Sequence, residues 1–174
     1  MEAVHVTSMI EAAFPLEPLP ETSLHQAQLA DQSMSREISE KEWKETGLID
    51  EGRTWRDFTD DELIACDAAL AHFDELSFVY HLPAFLLFAL RHHGVEWSHP
   101  AWSLVGSVVF FTTHREPSML GRYKRLSPSQ REAVICFLEF IAEHGRGSNG
   151  PDARKALSRY WKTAEASKPL IVVP

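Results

Sequence analysis

Residues 78–90 read FVYHLPAFLLFAL, the most apolar stretch of the chain, with a histidine and a proline near its start. A bilayer span, a cofactor pocket and the core helix of a globular protein would each imply a different fold. Length excludes the first: the stretch runs about 13 residues, against about 20 for a span. Charged and polar residues bound it, Asp74 and Glu75 before and Arg91, His92 and His93 after. It therefore reads as a buried helix. Proline is tolerated in a first helical turn and costly further in. Pro83 thus sets the expected start near His81 or Leu82, or else a short helix over 77–80 kinks into a second one. Gly94 is the expected stop, and the histidines before it suit the negative end of the helix dipole.

The neighbouring segments repeat the helical pattern. Residues 4–14 are amphipathic. Residues 15–20 form a connector in which Pro15, Pro18 and Pro20 preclude regular helix. Residues 23–45, polar and acidic, are expected to form one helix or two in tandem, ended by Gly47. A loop follows, anchored by Trp55 and Phe58. Thr59 and Glu62 have capping-box spacing and open a helix over 59–73. Residues 101–114 are almost continuously apolar. Their β-branched residues leave a strand open, but a helix is favoured. Residues 115–125 read as a basic connector containing Arg115, Arg122, Tyr123, Lys124 and Arg125. Ser127 and Pro128 open the clearest amphipathic helix of the chain. GRGSNGP, 145–151, is a loop before a last helix with Pro151 at its first position. An apolar tail, 168–174, completes the chain. The expectation is one all-α domain over 1–174, of about seven helices around a central buried helix at 81–93.

Composition narrows the function classes. The chain has 174 residues, 44% hydrophobic and 24% charged, enough for a real core. Its net charge of −8 argues against a nucleic-acid binder that works by neutralising phosphate. The charge is uneven, since the acidic residues crowd the first 75 positions and the later part is net basic. Mutual neutralisation of the two parts across the fold is the simplest expectation. Cys66 and Cys136 sit in apolar helical runs and are expected to be buried free thiols. The opening residues lack a basic, signal-like start, so a cytoplasmic protein is expected.

Catalytic patterns are absent. Nine histidines invite a metal site, yet His92 and His93 are adjacent and point about 100° apart on a helix. Glu96 and His99 give one Glu-x-x-His spacing where di-iron bundles need two, and Pro100 interrupts it. No nucleophile elbow occurs, and GRGSNGP lacks the lysine and hydroxyl of a phosphate-binding loop. The acidic runs before helices read as caps. No enzyme activity, metal or cofactor is expected.

Four segments in order carry a resemblance. They are IEAAFP at 10–15, the W-R-D of 55–57, YHLPAFL at 80–86, and LSPSQREAVICFL at 126–138. With these the chain resembles a bacterial family of small cytoplasmic helical proteins known as a domain of unknown function. The resemblance implies a small helical fold and no catalytic residues. Some acidic families without enzyme motifs serve as immunity proteins beside toxins, and that analogy of class sets the functional expectation. It is a non-enzymatic protein that binds a toxin with a basic active site, such as a nuclease, without contacting nucleic acid or membrane. Complementary charge would speed the encounter. The partner face is expected at Glu37, Glu40, Trp43, Glu45, Asp50, Glu51, Trp55 and Asp57. Core packing is the competing role of both tryptophans. The alternatives are a small-ligand or metal-binding enzyme with a pocket near Tyr80, His81, His92 and His99, and a regulatory subunit of a larger assembly.

Overall fold

Asp74, not Pro83, starts the central helix. Its carboxylate accepts the backbone N–H groups of Leu76 and Ser77, both at 2.9 Å. In the computed structural model, which describes residues 2–163, this helix (α6) runs unbroken over Glu75–His92. Pro83 lies well inside it. An interior proline costs about 3 kcal/mol. Its flanks Leu82, Ala84, Phe85 and Leu86 are all buried, as are Phe78, Phe88 and Ala89. At roughly 1.5–3 kcal/mol per buried large apolar side chain, that packing outweighs the missing hydrogen bond. The expected start near His81, and the kink over 77–80, are corrected accordingly.

The other elements gather around α6. Helix α1 (Ala3–Ala13) buries Val6 and Ile10 against α9 (Pro128–His144) and α6. The polar stretch 23–45 resolves into two helices, α2 (Leu24–Gln32) and α3 (Glu40–Gly47). Ser23 and Gln26 form a capping box on α2, and Ser39 caps α3. A 3₁₀ turn, Leu48–Asp50, follows directly. Thr59 and Glu62 form the expected capping box on α4 (Asp60–Ala65). The chain then breaks at Cys66 before a single turn, α5 (Ala69–His72), which packs on α2. Helix α7 (Ala101–Thr113) lies against α6 and settles the strand-or-helix alternative there.

Residues 115–125 hold a helix rather than a connector. Pro117 occupies the first turn of α8 (Pro117–Lys124), which buries Met119, Arg122 and Tyr123. The cations Arg115, Arg122, Lys124 and Arg125 mask this face in the sequence. Arg122 is inside because it has a structural task. Its guanidinium donates to the carbonyls of Leu70, Ala71 and Phe73 at 2.7–3.0 Å and so closes the end of α5. Helix α10 (Asn149–Ala156) packs on α9 and α7 and passes into a π turn, Leu157–Trp161. Trp161 donates from Nε1 to the Thr112 carbonyl at 2.8 Å and ties that end to α7. Among the described residues there are ten α-helices and no strand, so the all-α class holds with more and shorter helices than expected. None of these helices is long and apolar enough to cross a membrane. The tail 168–174 lies outside the described residues.

Candidate functional site

The acidic segment begins with α3, which buries none of its residues. It packs on α2, where Gln26 donates to the Trp43 carbonyl at 2.9 Å and a Cβ on Gly47 would collide with the same Gln26 amide. Its carboxylates are partly engaged by nearby cations. Lys44 meets Glu40 at 2.7 Å, Lys41 meets Glu45 at 3.7 Å, and Arg36 holds Glu42. At the 3₁₀ turn the chain divides its side chains between two sides. Asp50 turns inward and accepts from the backbone N–H of His25 at 3.0 Å and faces its Nδ1 at 2.7 Å. Leu48 and Ile49 turn outward and are 62% and 53% exposed. Gly52, at φ +73°, then reverses the chain, a conformation that favours glycine.

The next residues fasten this segment to the core. Arg53 forks onto Glu62 at 2.7 and 2.9 Å and also donates to the Asp57 carbonyl. With the Arg53 guanidinium and the Thr59 cap beside it, the Glu62 carboxyl is held down at about 2. The Asp57 carboxylate accepts the Thr54 backbone N–H at 2.7 Å and its hydroxyl at 2.8 Å, which lowers its pKa. Trp55 is buried and donates from Nε1 to the Pro15 carbonyl at 3.1 Å.

Behind the segment lies a cleft of about 600 Å³. Asp50, Glu51 and Arg53 form one side, the connector residues Leu19, Pro20 and Glu21 another, and Tyr80 and His81 of α6 the base. Tyr80 donates its hydroxyl to the Leu16 carbonyl at 3.1 Å. His81 stacks on Phe73 with centroids 4.5 Å apart, and its Nε2 faces the Thr22 carbonyl at 3.2 Å. Burial pushes its pKa down to about 4, so the ring is neutral and Nε2 carries the proton. Its Nδ1 is buried without a partner.

The structure thus separates the expected site residues. Glu37, Glu40, Glu45, Glu51 and Asp57 are exposed, and Trp43 is half-buried. Asp50 and Trp55 are buried by this chain's own contacts, the core role for Trp55. Tyr80 and His81 share the cleft with Asp50 and Glu51, which brings parts of two separate expectations to one place. His92 does not join them. An unbroken α6 sets it eleven residues, or about 17 Å, beyond His81. There its Nε2 meets Asp60 at 2.7 Å, its ring lies 5.8 Å from that of His99, and His99 Nδ1 accepts the Ala101 backbone N–H. The exposed Leu48 and Ile49 fall outside the expected site residues. Their only signal in the sequence is an apolar pair within the polar run TGLIDEG.

Neither cysteine lines the cleft. Cys66 is buried, its thiol pushed up to about 12 by desolvation, and Cys136 is raised by burial as well. Thiolates are the reactive form. Among the described residues no group of three or more His, Cys, Asp or Glu side chains is placed to hold a metal ion.

The sequence profile of the family of unknown function DUF6714 matches residues 2–165. No curated protein and no solved structure matches the chain. The chain belongs to the DUF6714 family.

Proposed function

We propose that this member of the DUF6714 family is a protein-binding protein without chemistry of its own, and specifically an immunity protein that neutralises a cognate bacterial toxin through its acidic segment. The observation that carries the reading is the make-up of residues 34–51. Met34, Leu48 and Ile49 are exposed there, at 79%, 62% and 53%, among the exposed Glu37, Glu40, Glu45 and Glu51. Apolar anchors within a polar rim are the anatomy of protein interfaces. Net negative charge around such anchors suits a partner whose working surface is basic, as a nuclease active site is. A second reading, a small-ligand pocket, is favoured by the 600 Å³ cleft over Tyr80 and His81.

The acidic-segment reading is tested by charge reversal at Glu37, Glu45 and Glu51 together. Asp57 is left alone because its carboxylate holds the Thr54 turn. A tagged full-length chain recovered from its own host is expected to bring down one protein in near-equal amount, toxic when produced alone. The triple lysine variant is expected to bind it about tenfold more weakly or worse. Unchanged affinity and on-rate in a folded triple variant would sink the acidic-segment reading. A partnerless wild-type chain that carries a bound small molecule in native mass spectrometry would favour the cleft instead.

A further inference from the structure

A cavity of about 460 Å³ lies between the end of α7 and helix α10, and none of its lining residues belongs to the acidic segment or to the cleft. His114 and Arg115 approach it from the end of α7, and Lys155 and Arg159 from α10 and its π turn. The protein as a whole carries −8, so carboxylates are plentiful. Many other cations have one: Arg91 meets Asp60, Arg125 meets Glu75, Arg146 meets Glu96 and Lys162 meets Glu139. Among the described residues, Arg115, Lys155 and Arg159 hold no ion pair and their side chains donate no hydrogen bond. Arg115 only approaches the face of Tyr160, at 5.8 Å. One carboxylate, Asp152, also lines the cavity, against those three cations.

Two further features fit an anion with an organic body. Asn149, at the start of α10, lines the cavity while nine-tenths buried, and its side-chain amide has no partner among the described residues. That amide keeps contact with solvent, so it is open to hydrogen-bond a ligand in the cavity. Part of the lining is apolar: Phe110 is 45% exposed, and its ring lies 3.7 Å from that of His114, centroid to centroid, tilted by 32°.

We infer that this cavity binds a small phosphomonoester with an aromatic body. The phosphate sits on Arg115, Lys155 and Arg159, with the Asn149 amide completing its hydrogen bonds, and the ring lies against Phe110 and His114. Charge-assisted bonds from arginine and lysine to phosphate oxygens supply the affinity. The net charge of −8 over the whole chain disfavours a long polyanion, which would meet more of the molecule than this cavity.

The test is calorimetric titration of the full-length protein with adenosine monophosphate as probe, inorganic phosphate as competitor, and Lys155→Gln/Arg159→Gln as the variant. Both positions are exposed, so the fold is expected to survive, and circular dichroism checks it. The expected result is saturable binding displaced by phosphate, weakened about tenfold or more in the variant. Asn149→Ser, which shortens the side chain but keeps a donor, is expected to weaken it less. The assignment is overturned by no saturable binding, or by affinity unchanged in a folded variant. Tighter binding of a DNA duplex or an anionic vesicle that adenosine monophosphate does not displace would overturn it too.

Discussion

His81 shows how one side chain couples burial to pH. Its ring is neutral in the fold because desolvation lowers its pKa to about 4 and no acceptor faces Nδ1. An unfolded histidine titrates near 6.5. Between those values the unfolded chain binds the extra proton, so stability is full above about pH 6.5 and falls as the pH drops towards 4. One such proton contributes a slope of about 1.4 kcal/mol per pH unit. In urea unfolding from pH 6.5 to 5, His81→Phe is expected to show a shallower decline than the wild type. Equal slopes would place the titration elsewhere. Arg122 makes the complementary case of a buried cation that stays charged, because three carbonyls receive it and its guanidinium lies 4.8 Å from the Phe78 ring centroid. A lysine presents its three donors from a single nitrogen and lacks the planar reach with which Nη1 and Nη2 of Arg122 meet carbonyls at separate points. Arg122→Lys is expected to lower the unfolding free energy by about 2 kcal/mol, read from the denaturation midpoint at constant m-value.

Among the described residues, α2, α3, α4, α6 and α9 each begin at a side chain that accepts a backbone N–H of the first turn. Caps are legible in the sequence: Ser23, Thr59 and Ser127 each stand three residues before a Gln or Glu, and each forms the capping box its spacing implies. The start of α6 departs from expectation because Pro83 is the louder local signal, whereas the Asp74 cap and the surrounding core prevail in the fold. Helix α8 resembles a connector in the sequence because its cations hide a buried face. The junction of α9 and α10 shows the spatial limit. A Cβ on Gly145 would lie 2.6 Å from the Ile141 carbonyl oxygen and 3.2 Å from the Gly150 nitrogen. Gly106, inside α7, has open space around its Cβ position. Gly145→Ala is therefore expected to destabilise by about 1–3 kcal/mol, since backbone must move. Gly106→Ala is expected to stabilise by about 0.5–1 kcal/mol through helix propensity alone. Thermal unfolding of the two variants should shift in opposite directions, and a shared direction would refute the packing argument.

At the scale of the molecule, folding does not cancel the charge asymmetry of the sequence. Among the described residues, the ion pairs that join the acidic first part to the basic second part are made at Asp60, to Arg91 and His92, and at Glu75, to Arg125. Others stay within one part, such as Arg36 with Glu42 and Lys162 with Glu139. Exposed acid therefore remains along 37–57 and exposed base around the α7–α10 cavity, and simple mutual neutralisation does not describe the fold. A field of this kind acts on encounter rates and is screened over about 10 Å at 0.1 M salt. Association with the proposed partner is expected to slow steeply with added salt for the wild type and much less for the Glu37, Glu45 and Glu51 reversal; parallel salt slopes would remove steering from the mechanism. The sequence by itself determined the all-helical class, the buried status of residues 78–90 and most helix caps, because these depend on periodicity, length and local hydrogen bonding. Only the tertiary structure decided that Trp55 and Asp50 turn inward while Leu48 and Ile49 turn outward. It alone brought Tyr80 to Asp50, set His92 far from His81, and left Lys155 and Arg159 without partners among the described residues. Those outcomes depend on which distant elements pack together, and neighbouring residues along the chain carry no record of that.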